Sequence, residues 1–345
     1  MTGVRAVQAA GPAPSARERW LLPGLIAATG VAVLAALAIG SAAIDPLRAW
    51  AALLADPAES RVAMVVQEIR LPRIVMGLLV GASLGLSGAA LQGLLRNPLA
   101  DPGVIGVSAS AGLGAVVAIY YGLAAVARIM VPLCAMGGAA VATLLLYAQA
   151  RRNPSILTLI LVGVAINSLA GALTSLAMNL APDPYSLREI VMWLLGSLAN
   201  RSFTEVQLAL PFMALGWLCL LATGRALTAL TLGEEAGQTL GVNLARTRLL
   251  VILGAALSVG AAVAVTGTVG FVGLVVPHML RGAVGADPGR LLLPSAVGGA
   301  LLVTLADTLI RAVPSDQELK LGVVTALIGG PFFIYLVTRT RAALR

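Results

Sequence analysis

Residues 70–106 read RLPRIVMGLLVGASLGLSGAALQGLLRNPLADPGVIG. From Ile74 to Leu95 the run carries no charged side chain, and a helix of roughly 20 such residues crosses a bilayer. Gly77, Gly81 and Gly85 recur at steps of four and are followed by Ser87 and Gly88. That spacing lines small residues along one face, where helix backbones can approach closely. The run ends in Arg96-Asn97-Pro98-Leu99-Ala100-Asp101-Pro102-Gly103, whose prolines, Asn and Asp predict a stiff, hydrogen-bonded turn. Such a turn is either a connection or a shaped edge of a pore mouth.

Outward from this stretch the same pattern repeats. Comparable apolar runs cover 21–44, 104–126, 130–149, 156–180, 206–223, 249–269, 271–286, 291–312 and 320–338. With 74–95 they predict an all-α polytopic membrane protein of about ten spans. The run at 271–286 is short, and Gly270 and Gly273 interrupt its start. Ile190 to Leu198 is too short to span and is expected as a helix outside the bilayer core, next to a loop at Pro182-Asp183-Pro184. Hydrophobic residues make up 59% of the 345 positions and charged residues 11%, with mean hydropathy +0.95. A soluble domain carries about 25% charged residues, so this chain needs lipid as its solvent. Its 38 glycines and 18 prolines fit that reading, since both are commoner in membrane helices.

The formal charge of +8 comes mostly from arginines placed singly or in pairs at the ends of apolar runs. Nucleic-acid binding needs cations gathered on one face, so it is excluded. Cys134 and Cys219 lie far apart within apolar runs and are expected to be inert in packing. The polar arm 1–19 leads into an apolar stretch longer than the roughly 7–15 residues of a cleavable signal core, so a retained first span is expected. Ten spans then place both termini in the cytoplasm, and the inner segments hold the larger share of cations, as the positive-inside rule asks. The chain reads as one membrane domain over 1–345.

Several chemistries are missing. There is no Gly-x-x-x-x-Gly-Lys-Ser/Thr loop, and Lys320 is the only lysine, so nucleotide phosphates are not cradled in that way. His278 is the only histidine, which leaves no His-Glu-x-x-His zinc site, and nothing brings Ser108 or Ser110 to it. No catalytic residue, metal ligand or cofactor is assigned. One polar segment interrupts the apolar region, 225–248, centred on Leu232-Gly233-Glu234-Glu235-Ala236-Gly237-Gln238-Thr239-Leu240-Gly241. Gly233 and Gly241 bracket about two amphipathic turns suited to a groove on a soluble partner. A helix lying on the membrane is the alternative, and Glu234-Glu235 argues against it, because anionic headgroups repel carboxylates. Arg70 and Arg73 precede the second span and Arg311 ends the ninth. Guanidinium forks match carboxylates, although snorkelling at the interface serves equally. Asp307, four residues before Arg311, is the clearest intramembrane acid and would suit an ion-coupled secondary transporter, unless it pairs with Arg311 along the helix.

The stretch 70–106, together with GTVGFVGLVVPHMLR at 267–281 and ELKLGVVTALIGGPFFIY at 318–335, resembles the FecCD-type permeases of iron-siderophore, haem and vitamin B12 ABC importers. The resemblance runs from about residue 20 to 340. It implies a type II ABC importer permease fold and a homodimer in the bacterial inner membrane. Two cytoplasmic ATP-binding subunits would hold ATP and Mg, and a periplasmic substrate-binding protein would deliver the cargo. It further implies that Leu232, Gly233, Glu234, Glu235, Gly237, Leu240 and Gly241 couple to the ATPase, and that Arg70, Arg73 and Arg311 receive carboxylates of the binding protein. Ser155, Ile156 and Leu157 would stand near a cytoplasmic gate, and His278 would be structural. The implied mechanism is alternating access. An iron chelate is the expected cargo and vitamin B12 the alternative.

Overall fold

This computed structural model describes residues 16–40, 44–58, 60–127, 129–152, 155–313 and 319–342. Residues 1–15 of the polar arm, and Glu318 of the last motif, lie outside them. Ten principal helices follow one another: α1 Ala16–Ala38, α2 Leu71–Leu95, α3 Val107–Tyr120, α4 Met130–Arg152, α5 Ile156–Asn179, α6 Phe203–Leu221, α7 Leu244–Thr266, α8 Val272–Arg281, α9 Pro288–Ala312 and α10 Leu321–Ala342. Each falls on one of the apolar runs. Seven described helices are long and apolar enough to cross a membrane, and three shorter apolar helices complete the set.

Side chains fix the helix starts where the sequence offers them. Asp287 caps α9 by accepting from the Gly289 and Arg290 amides, Asn243 caps α7 through Arg246 N, and Ser202 with Glu205 forms a capping box on α6. Each cap satisfies amides that a helix N-terminus otherwise leaves unpaired.

The centre of the bundle is α2, buried over most of its length together with α7 and α9. The glycine ladder explains the closeness. A Cβ on Gly81 would collide with the Gly299 carbonyl, on Gly85 with that of Ser295, and on Gly88 with that of Gly273. Thus α2 lies backbone to backbone against α9 and the start of α8. Between hydrocarbon-lined helices there is little hydrophobic drive, and close van der Waals packing of this kind holds them. Polar clasps add to it: Ser87 and Ser258 share a 2.9 Å hydrogen bond, and Trp217 Nε1 donates to Ser83 Oγ at 2.9 Å. By contrast α1, α4, α5 and α6 keep most of their apolar surface outward.

Three expectations are corrected. The second span does not begin at Ile74: the helix runs unbroken from Arg61, through a π-helical stretch Val65–Arg70, into α2. The short helix is Pro184–Leu194, capped by Asp183, and not Ile190–Leu198; Gly196, at φ 69°, ends it in a turn. The polar segment stops earlier than 248, because Leu244 to Arg248 already form the first turns of α7.

The eighth run is short for a structural reason. After α7 the chain passes 267–271 in non-helical form, with positive φ at Gly267 and Phe271. Here three segments interlock. Ser197 N donates to Thr266 O at 2.7 Å, Gly322 N donates to Leu195 O at 3.1 Å, and a Cβ on Gly196 or Gly322 would strike Thr268 O. Irregular backbone at membrane depth is tolerated only when protein surrounds it, and these segments surround one another.

Candidate docking and coupling site

The two ends of the bundle differ. At one end α6 and α7 are joined by the polar segment, here called the hairpin end. At the other lie the C-terminus of α1, the N-terminal part of α2 and the C-terminus of α9, here called the arginine end.

At the hairpin end the segment folds into two short helices, Gly224–Leu230 and Glu234–Thr239. Gly233, at φ 106°, makes the turn between them and Gly241, at φ 88°, leaves the second; both angles favour glycine. Leu227 and Leu230 are buried beneath, and a Cβ on Gly237 would press on Leu230 Cδ2 at 3.0 Å. Two ties hold the hairpin to the bundle: Arg248 Nη2 to Glu234 Oε1 at 2.7 Å, and Thr228 Oγ1 donating to Asp287 Oδ1 at 2.6 Å. What remains outward is Leu232, 70% exposed, Leu240, 64% exposed, and Glu235. Two apolar knobs beside a carboxylate, on a braced support, form a ready surface for a partner's groove. The sequence grouped Glu234 with Glu235, but the structure separates them: Glu234 is a brace and Glu235 faces out.

Beside the hairpin end the Asn-Pro turn is as stiff as expected. Asn97 Oδ1 accepts from Leu99 N at 2.9 Å and Asp101 Oδ1 from Gly103 N at 2.7 Å. Burial pushes the Asp101 carboxyl up, against the lowering effect of the Gly103 amide. Gln92, buried, donates to the Gly273 and Leu274 carbonyls and accepts from Arg281 Nη2 at 2.8 Å, tying α2 to α8. An apolar cavity of about 180 Å³ opens between the turn and α5, lined by Leu95, Leu99, Asp101, Leu159 and Ile160 among others. Ser155 and Leu157 stand just before its α5 wall, Leu157 being exposed. The Ile156 side chain lies outside the described residues.

At the arginine end the three arginines are not free tips reaching into solvent. Arg73 donates from Nε to both Asp307 oxygens at 3.0 Å and from Nη2 to Oδ1 at 2.8 Å. Arg311 donates from Nε to Asp307 Oδ2 at 3.0 Å, the intrahelical pair that its spacing suggested. Arg311 Nη1 also reaches the Ala36 and Ile39 carbonyls, and Arg70 Nη1 those of Leu37 and Ala38. Carbonyls 36–39 stand at the end of α1, where a helix has more acceptors than donors, so the two guanidiniums cap it. All three are largely buried. Among the described residues, Arg73 and Arg311 share the Asp307 carboxylate, and Arg70 lies close enough to Arg311 to feel its charge. Sequence reasoning missed the scaffold role because Asp307 is 234 positions from Arg73.

His278 stacks edge-on to Phe332, with ring centroids 6.1 Å apart, and no group of three metal-ligating side chains exists among the described residues.

Comparison with known proteins agrees with this architecture. The FecCD transport family model matches residues 28–339. The chain is 44% identical over 292 residues to the cobalamin import system permease protein BtuC of Halobacterium salinarum, covering 84% of this chain and 77% of that one. It is 38% identical over 281 residues to the hemin transport system permease protein HmuU of Yersinia pestis, covering 79% and 83%. A solved ABC transporter described as of metal-chelate type, in an inward-facing conformation, superposes with a TM-score of 0.81 at 32% identity, over 93% of this chain and 99% of that one. The chain belongs to the FecCD transport family: it is a multi-pass membrane permease of ABC importers, a transport subunit and not an enzyme, with ATP hydrolysis carried by a separate subunit.

Proposed function

We propose that this permease imports a metal chelate, an iron-siderophore or haem complex, with vitamin B12 as the alternative cargo. It works as a homodimer, each chain a single membrane unit with both termini in the cytoplasm. The observation that carries the orientation and the partners is the contrast between the ends: an apolar and acidic knob on one, a cationic cluster on the other. The knob of Leu232, Glu235 and Leu240 seats in the cytoplasmic ATPase, braced by Gly237 packing and the Glu234–Arg248 pair. The cluster of Arg70, Arg73 and Arg311 faces the periplasm, where its guanidiniums attract the acidic lobes of a binding protein. Because the guanidiniums already cap α1 and hold Asp307, docking acts on the field of the cluster and on the anchoring of α1, α2 and α9 together.

Alternating access follows from this layout. Nucleotide-driven closure of the ATPase moves the hairpin, and Thr228–Asp287 and Arg248–Glu234 carry that movement into the ends of α9 and α7. The Ser155–Leu157 end of α5 forms the inner gate beside the apolar cavity. Low-polarity walls suit passage of a large chelate, and tight recognition is left to the soluble partner.

The haemin and cobalamin permeases among its relatives support both cargo readings; iron import is preferred because iron chelates are the commoner cargo of such importers. The test is ATP-dependent uptake into proteoliposomes holding the permease, its ATPase and its binding protein, supplied with iron-55 chelates, haemin or cobalt-57 vitamin B12. Uptake of an iron complex supports the proposal, and uptake of vitamin B12 alone replaces it by the alternative.

A further inference from the structure

A second polar site lies on the arginine-end side of the bundle, away from the arginine cluster, in the knot of interlocked segments. A pocket of about 320 Å³ opens there, with Glu189, Trp193, Asn200, Arg201, Thr266 and Lys320 among its lining residues. Its walls are the short helix Pro184–Leu194, the loop before α6, the end of α7 and the residue preceding α10. Two cations face one carboxylate across it.

Arg201 is the informative residue. Its Nε is buried without a hydrogen-bond partner, and among the described residues the guanidinium makes no ion pair. Burial pulls it below the usual arginine range, and the Glu205 carboxylate opposes that only in part. A guanidinium withdrawn from water with a donor unmatched is costly, and a planar carboxylate or phosphate is the group its fork fits. Lys320, the chain's only lysine, adds a second positive charge on a flexible stem. Thr266 Oγ1 donates to the Ala262 carbonyl at 2.8 Å, so its proton is already committed within α7.

We propose that this pocket is a subsite for an anionic group, a carboxylate or phosphate, of the imported chelate, with Arg201 as the fork and Lys320 as the second cation. The proposal rests on the import reading above and adds a substrate feature to it. Its volume of about 320 Å³ lies at the small end of ligand pockets and has room for an anionic substituent. One wall belongs to the link between α5 and α6, so an occupant touches the segment that continues into the α5 helix.

Citrate is the probe, titrated onto the full chain in nanodiscs labelled with 5-fluorotryptophan. Of the four tryptophans only Trp193 lines the pocket, and Trp193→Phe assigns its fluorine resonance. The expected result is a saturable shift of that resonance with citrate and none with trimethyl citrate. Arg201→Gln weakens binding roughly tenfold or more, by the usual worth of a charge-assisted hydrogen bond. Lys320→Gln, which removes a point charge without a planar fork, weakens it less. Identical responses to citrate and its ester, no saturable shift, or wild-type affinity in a folded Arg201→Gln protein would each overturn the subsite. The titration needs no ATPase. A chain that imports with its ATPase yet ignores citrate therefore overturns the subsite alone, whereas a citrate response in a chain that recruits no ATPase overturns the import reading.

Discussion

Replacing Asp307 by Asn should destabilise this protein more than removing any one of the arginines around it. The carboxylate is 4% exposed at its side chain and holds Arg73, 12% exposed, and Arg311, 8% exposed. Asn keeps the shape but not the charge, so both guanidiniums lose the Asp307 carboxylate at once. Breaking a buried pair costs about 3–5 kcal/mol. Arg311 retains the Ala36 and Ile39 carbonyls, which places the expected loss near the lower end, about 3 kcal/mol. Arg73→Gln leaves Asp307 paired with Arg311, and a loss of about 1–2 kcal/mol is expected. Combining Asp307→Asn with Arg73→Gln alters both ends of one contact, so the double variant should lose less than the sum of the two. Equilibrium unfolding in mixed micelles of rising SDS fraction measures all three. An Asp307→Asn protein within about 0.5 kcal/mol of wild type, or strictly additive losses, would refute the shared-carboxylate account.

Other expectations are briefer. Gly81→Leu places a side chain where the Gly299 carbonyl stands, so it should part α2 from α9 and leave no folded protein by detergent gel filtration; a monodisperse product would contradict that packing. Leu232→Asp with Leu240→Asp alters two exposed side chains, so stability should change by less than about 0.5 kcal/mol while ATPase co-purification is lost; retained ATPase would remove the knob from the interface. Bonds from Ser186 hold the Asp183 carboxyl below its usual range. A lowered carboxylate stabilises above its unfolded pKa, about 3.9, and that support fades as pH falls further. Protection factors of the amides in Pro184–Leu194, taken relative to intrinsic exchange at each pH, should therefore be steady from neutral pH down to about 5 and fall only under stronger acid; a fall already near pH 6 would contradict the cap.

Much of the fold was legible because membrane spans announce themselves by length and apolarity. The small residues at Gly81, Gly85 and Gly88 announced close packing, though not that the partners were Gly299, Ser295 and Gly273. The Asn97–Gly103 turn was readable because Asn and Asp bond to amides two residues on. Interactions across long sequence separations were not. Nothing local in Arg70 or Arg73 shows that one caps α1 and the other holds Asp307, so both looked like surface residues. The helix before residue 71 was hidden because Gln67, Glu68 and Arg70 break the apolar run, yet Gln67 turns inward to the Ala52 and Ala55 carbonyls. The Arg201 pocket was invisible for a similar reason: its walls come from four separate stretches of chain.

The measurement that bears most directly on the central claim is purification of the tagged permease in mild detergent, with mass spectrometry of what accompanies it. ATP-driven import predicts an ATP-binding subunit in one-to-one ratio with the permease, lost in the Leu232→Asp, Leu240→Asp variant. A wild-type chain that purifies alone, under conditions that keep other ABC importers intact, and transports in response to an ion gradient would contradict it.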